Sequence, residues 1–310
     1  MSSQVTTAFV QQYGANVFHL SQQQGSMLRA GARVERQKGK TAFYDRIGLV
    51  AAQLRTSRHG DTPQLDTPHS RRMVTLSDYE WADMIDSQDK VRMLIDPASD
   101  YAKAAANAFG RSMDNVMIAA ALGTAYTGET GTGTQALQDT QKVAAHTSGT
   151  AANLNVFALR KAKLILDRNN VSKGLKRYCA INASGLESLL NETAVTSSDY
   201  NTVKALVQGE INTFLGFEFI LTNELITQPN AFTFNTTTGL YQNGGTSTTT
   251  GKSMIAWAEG GILLSVGEEV VSRIGERADK GYSTQVYSKM SIGATRLEDE
   301  KVVEIICAQS

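Results

Sequence analysis

The sequence holds only two cysteines, Cys179 and Cys307, four prolines and two tryptophans in 310 residues. Two thiols permit one disulfide at most, which excludes a disulfide-stapled secreted scaffold. Each lies in an apolar, strand-like run, so they read as buried free thiols of a reducing compartment. Neither charge dominates: thirty Lys and Arg balance thirty Asp and Glu. No overall excess therefore draws the chain onto nucleic acid or an anionic membrane, and tight phosphate binding is not expected. No stretch nears the ~18 apolar residues of a membrane span. The longest, Ala256 to Val266, is interrupted by Glu259, Gly260 and Gly261. The first twenty residues lack a basic stretch followed by an apolar run, so no secretory signal is expected. The expectation is a soluble chain assembled in a cytoplasm.

Chemistry-bearing motifs are equally scarce. Gly245 to Ser253, GTSTTTGKS, imitates a phosphate-binding loop but has five residues where four are needed, with Thr246 in the wrong place. Neither a preceding hydrophobic strand nor a following helix frames it, and helix-opening amides are what cradle phosphate. His19, His59, His69 and His146 have no second ligand at zinc-type spacing. Ser184 sits in NASG, without the leading glycine of a nucleophile elbow. Cys179 falls in a buried strand, where the thiolate is disfavoured. Neither a metal, a cofactor nor a catalytic residue is expected.

The length suggests about two domains, or one elaborated domain. Residues 1–28 are polar and Gln-rich and read as an arm. Strand signals at Ala42 to Ala51 and Met73 to Leu76 flank a turn-rich tip, HGDTPQLDTPH, and predict a long hairpin. The best helix runs from Pro97 to Leu122, with Asp96 as cap, Pro97 in the first turn and Gly123 as terminator. A second helix is predicted over Val156 to Arg168, a strand over Arg177 to Ile181 and a short helix over Ser184 to Leu190. Paired strands are expected around Gly209 and Gly216, and a polar excursion over 229–252. The C-terminal stretch reads as β at Ile255 to Val266, Thr284 to Ala294 and Val302 to Ala308, with Glu298, Asp299 and Glu300 as its last turn. Helix and strand interleave without regular βαβ spacing, so the fold class is α+β.

Charge is unevenly distributed along the chain. Arg29, Arg33, Arg36, Lys38, Lys40, Arg46, Arg55 and Arg58 face only Glu35 and Asp45 across the predicted hairpin. The next segment reverses the sign: Asp78, Glu80, Asp83, Asp86 and Asp89 are opposed by Lys90 alone. The spacing of three among Asp83, Asp86 and Asp89 predicts one face of a short amphipathic helix. Two readings stay open. Each segment is a solvated face worth little per ion pair, or the hairpin rests on the acidic segment of a second copy, a heterologous contact that builds rings and lattices.

The run AWAEGGILLSVGEEVVSRIGERADKGYSTQVYSKMSIGATRLEDEKVVEI resembles the end of a tailed-bacteriophage major capsid protein. There, a Trp-containing strand, a charged excursion and a Gly-Ala-x-Arg strand lead into a last Val-rich strand. LRKAKLILDRNNVSKGLKRYCAINASGLESLL resembles the helix–strand–helix of the capsid axial domain, and LVQGEINTFLGFEFILTNEL its Gly-x-Ile…Gly-Phe strand pair. With the hairpin and the long helix, the resemblance covers most of residues 30–308. It implies the Hong Kong 97-like fold: an arm at 1–29, an extended β-hairpin loop at 30–77, a peripheral domain with the long helix at 78–140 and 261–310, and an axial domain at 141–260. It also implies self-assembly as hexamers and pentamers into an icosahedral procapsid, on a scaffolding protein and with a portal protein. Double-stranded DNA is then packaged without sequence-specific binding, with or without a decoration or cement protein. Some family members crosslink a Lys to an Asn; Lys38 and Lys40 lie in the loop, but no partner Asn or Glu is identified. The intersubunit-contact candidates are therefore Arg33, Arg36, Lys38, Lys40, Arg55, Arg58, Asp83, Asp86 and Asp89. An encapsulin-type shell protein, sharing this fold but enclosing cargo enzymes, is the first alternative, and an enzyme with a dispersed site is a more distant one.

Overall fold

The computed structural model describes residues 22–58, 64–85, 98–147, 150–192, 213–228, 233–234, 241–242 and 251–308. The tip residues 59–63, Asp86, Asp89, the Asp96–Pro97 cap, Gly209 and most of the 229–252 excursion lie outside them. Strands β1 (Arg33–Arg36), β2 (Thr41–Ile47), β3 (His69–Thr75) and β4 (Ser77–Ile85) precede the long helix α1 (Ala98–Leu122). Short strands β5 (Ala125–Thr127), β6 (Gly133–Gln135), β7 (Lys142–Ala144), β8 (His146–Thr147) and β9 (Thr150–Ala151) follow. Then come α2 (Val156–Arg168), β10 (Arg177–Ile181) and α3 (Ala183–Leu190). The remainder is β: β11 (Thr213–Phe214), β12 (Phe217–Leu221), β13 (Thr227–Gln228), β14 (Thr233–Phe234), β15 (Tyr241–Gln242), β16 (Gly251–Ala258), β17 (Ile262–Arg277), β18 (Ser283–Arg296) and β19 (Val302–Ala308). The mixture is α+β.

Residue contacts divide the chain into two units. The larger holds Met27–Ser77, Ser112–Gly267 and Ile292–Ser310; the smaller takes in Asp78–Arg111 and Glu268–Ser291 with the residues before Met27.

The core of the larger unit is a mixed sheet ordered β11-β12-β10-β16-β19-β7, with β13 also on β16. Every residue of β10 and β19 is buried, and every residue of β16 except Lys252. Such continuous burial is what a central strand covered on both faces requires, and it explains unbroken apolar runs such as VVEIICA. Asn155 caps α2 by accepting the Ala158 amide at 2.9 Å, and Asn182 caps α3 by accepting the Gly185 amide at 2.9 Å. Gly185 lies so close to the Met254 side chain that a Cβ would stand 2.5 Å from its methyl carbon. The sequence reading joined Ile255 to Val266 into one strand. The chain instead reverses at Glu259 to Gly261, where Gly260 adopts φ +80° and the Gly261 amide donates to Ala258 at 2.9 Å.

Two anchors fix the start of the larger unit. The Asp114 carboxylate, fully buried on α1, accepts the Met27 and Leu28 amides at 2.9 and 3.1 Å. The Trp257 indole donates to the Gly31 carbonyl at 2.8 Å. From there β1 enters as a parallel partner of β17, Arg33 opposite Leu263 and Arg36 opposite Val266.

In the smaller unit β18 lies between β17 and β4. Here the expected helical placement of Asp83 is corrected; Asp86 and Asp89 lie outside the described residues. Over Asp78 to Ile85 burial alternates with period two, Tyr79, Trp81, Asp83 and Ile85 being more covered than Asp78, Glu80, Ala82 and Met84. That is the period of a strand, and Asp83 therefore sits on the opposite face from Asp78 and Glu80. Trp81, Tyr101 and Ala102 pack against buried Ile85 and Val286. Tyr287 donates its hydroxyl to Glu80 at 3.2 Å, and Ser291 bonds Asp78.

Candidate assembly surface

The hairpin forms because two strands with matched alternation flank a turn-rich linker. β2 pairs antiparallel with β3 from Thr41 opposite Thr75 to Ile47 opposite His69. Across it Arg71 donates to Asp45 at 2.5 Å and lies over the Phe43 ring at 5.7 Å. β3 continues the sheet through β5 to β6. From the last ladder pair outwards the apolar side chains are open among the described residues: Ile47 is 70% exposed, Leu49 98% and Leu54 89%, with Val50 and Leu65 also exposed. Scattered exposed leucines are ordinary, whereas a run concentrated on one segment makes that segment a candidate interaction surface.

The hairpin's base is locked by a charge cluster that sequence reading missed. Arg72 on β3 and Arg296 on β18 are completely buried, and Asp299 is 4% exposed. Arg72 Nη2 donates to Asp299 Oδ2 at 2.6 Å, while Arg296 Nε bonds the other carboxylate oxygen. Arg296 also donates to the carbonyls of Ala121 and Gly123 at 2.9 and 2.8 Å and of Gln135 at 3.0 Å, closing off the C-terminal end of α1. Arg46 adds a bond to the Leu297 carbonyl at 2.8 Å. Burial pushes the Arg72 guanidinium down from its usual range, and Asp299 pulls it back up. Arg72 Nη1 is buried with no hydrogen-bond partner among the described residues. One carboxylate thus serves two buried cations. The sequence places Asp299 in the last turn; only its partner 227 residues away reveals its burial.

The predicted contact residues do not form one hairpin face. Arg33 and Arg36 belong to β1, which pairs with β17 and not with the hairpin, and Arg33 bonds Glu35 of its own strand. Lys38 and Lys40 are exposed in the link to β2, and Arg55 and Arg58 are exposed in the connection after it. Arg55 is turned back on its own chain, donating to the Ser57 carbonyl at 2.9 Å. Asp83 accepts the Met84 amide at 2.8 Å. Asp86 and Asp89 lie outside the described residues.

Two open clefts of about 560 and 610 Å³ flank the hairpin base, the first lined by His69, Arg71 and Glu129, the second by Arg33, Leu49 and Glu298. Among the described residues no three His, Cys, Asp or Glu side chains gather as a metal site requires. No described helix is long and apolar enough to cross a membrane. Cys179 and Cys307 are free and buried, and burial pushes the Cys179 thiol up to about 12.

The family model for phage capsid protein matches residues 5–309. The chain belongs to that family. The capsid of cyanophage P-SCSP1u superposes with a TM-score of 0.74 at 19% identity, covering 100% of this chain and 96% of that one. The capsid of Ralstonia phage GP4 gives 0.71 at 10% identity over 98% and 96%. The capsid of Helicobacter pylori bacteriophage KHP30 gives 0.70 at 9% identity over 99% and 98%. No curated protein matches the chain. The fold is therefore the Hong Kong 97-like α+β capsid fold, and the chain is a structural protein, a major capsid protein of the bacteriophage virion.

Proposed function

We propose that this capsid protein assembles as hexamers and pentamers into an icosahedral shell around packaged double-stranded DNA. Assembly takes place in the host cytoplasm, with scaffolding and portal proteins as partners and room for a decoration protein. The observation that carries this is the hairpin. Its exposed Ile47, Leu49 and Leu54 call for a covering surface, while the buried Arg72–Asp299–Arg296 cluster keeps its base fixed. The occupant is a second copy. Lys38, Lys40, Arg55 and Arg58 accompany those leucines and meet the acidic segment of the neighbour that contains Asp83, Asp86 and Asp89. Arg33 and Arg36 contribute from β1.

Negative-stain electron microscopy with sedimentation velocity tests the reading. Closed shells, rings or sheets are expected from the wild type. Leu49→Ser with Leu54→Ser should leave far-UV circular dichroism intact and abolish them. Reversing Arg33, Arg36 and Lys38 to Glu should weaken assembly, and reversing Asp83 and Asp86 to Lys should restore it. A chain that stays monomeric with scaffold and portal supplied would overturn the reading.

A further inference from the structure

The zero net charge conceals a concentration of cations on α2. Between Val156 and Arg177 the sequence carries seven Lys and Arg against one carboxylate, Asp167. That carboxylate is already engaged, accepting from the buried Arg177 guanidinium at 2.7 Å. Glu192, at the start of the helix, accepts the Val156 amide at 2.9 Å. Ala158, Leu159, Ala162, Ile165 and Leu166 form the helix's buried stripe, and the helix packs on β19 and β7. At 100° per residue, Arg160 and Arg168 fall on the opposite arc, with Lys163 at one edge of it. Lys161 stands at its edge, with Nζ 5.4 Å from the Phe157 ring centre. Arg160 and Arg168 are exposed, Lys161 and Lys163 half-buried, and exposed Lys173 follows in the next turn.

We infer that this face of α2 contacts the phosphate backbone of duplex DNA without reading its sequence. The inference rests on the reading that the shell encloses such DNA. Arg160 and Arg168 are about 12 Å apart along the axis, a length over which a duplex carries roughly seven phosphate charges. The composition favours DNA over a protein partner. Protein interfaces are depleted in Lys and centre on apolar or aromatic anchors. Here three of the five cations are Lys, the one exposed apolar residue is Leu164, and the Phe157 ring lies beside Lys161 and not open to a base. Backbone contact needs only clustered cations, and a shell repeats the patch in every copy.

The test is the affinity of a short fluorescent duplex for the full chain, read by anisotropy between 50 and 200 mM salt. Four to five phosphate contacts give a slope of about −4 in log affinity against log salt, roughly a 250-fold loss across that range. Replacing Arg160, Lys161, Lys163 and Arg168 together by Gln keeps helix propensity nearly unchanged. It should lower affinity at least tenfold at the low-salt end and flatten the slope towards −1. The matching variant at Lys38, Lys40, Arg55 and Arg58 should keep the wild-type slope. Unchanged duplex binding in the α2 variant, or tighter binding of polyglutamate than of duplex by the wild type, overturns the inference. A footprint supplies the second measurement: Lys161, Lys163 and Lys173 should resist acetylation in DNA-filled particles and react in emptied ones. Equal reaction in both overturns the inference while leaving the shell intact. The titration needs no shell, so its outcome is separate from whether shells form.

Discussion

Asp299→Asn removes a single charge without changing shape, and the structure says this is among the most damaging conservative changes available. Asp299 balances both Arg72 and Arg296, each wholly buried. Removing the shared partner leaves two guanidinium groups in the interior with no counter-charge. Breaking a buried pair in this way costs about 3–5 kcal/mol, because the orphaned charge keeps its desolvation penalty. Arg72→Met is predicted to cost less. It deletes the cation whose Nη1 already lacks a partner and leaves Arg296 and Asp299 balanced one to one. The assay is urea denaturation of the unassembled chain carrying Trp81→Phe, so that Trp257, buried in the larger unit, is the sole indole. With a slope of about 3 kcal/mol per molar urea, Asp299→Asn should lower the midpoint by roughly 1–1.7 M. A shift under about 0.3 M, or a larger loss in Arg72→Met than in Asp299→Asn, would refute the shared-carboxylate argument.

Three further predictions follow from single sites. Gly31→Ala places a Cβ 2.9 Å from Trp257 Cζ2 and 3.1 Å from Tyr178 Cγ; overpacking should cost about 1–3 kcal/mol and shift Trp257 fluorescence, and an unchanged melting curve would count against that close packing. Burial, and then Lys161, hold the His146 imidazole below its usual range. The unfolded chain therefore binds the proton first, so stability should fall as pH drops below about 6.5 and level off beneath the folded-state value. His146→Gln should lose less between pH 7 and 5, and parallel curves would exclude this origin. With its thiol pushed up to about 12, Cys179 should resist iodoacetamide at pH 8 until denaturant is added; stoichiometric labelling of the native chain would contradict its burial.

The readable parts of the fold were those coded by neighbours in sequence. α1 was legible from its terminator Gly123, whose amide closes on the Ala119 carbonyl at 2.8 Å, and Ala105, Phe109, Met113 and Met117 along it are all buried. α2 and β10 have the bounds their periodicity predicts. β4 is hard to read because Asp83 begins a spacing of three with Asp86 and Asp89 that suggests a helix, while Asp83 itself lies in a strand. The alternation of Tyr79, Trp81 and Ile85 acquires meaning only beside β18, some two hundred residues later. The basic run from Arg29 to Arg58 was read as one hairpin because charge carries no register, whereas β1 finds its partner in β17. Asp299 resembled any acidic turn residue until Arg72 and Arg296 were placed around it. The cations of α2 vanished into a balanced total, since a sum over 310 residues does not report where the charges stand.

Besides β4, which crosses at its first residue, Ser77, the two compact units share three elements cut well inside their length: α1 after Arg111, β17 after Gly267 and β18 after Ser291. No single stretch of gene encodes either unit. A recombination crossover at any of these joints would splice the middle of a helix or strand from one lineage onto another. Among the described residues, a tolerant place for inherited insertions is the turn between β17 and β18, where no buried residue is displaced. Lineages of this chain are thus expected to exchange the whole coat-protein gene as one cassette and to diversify at that turn.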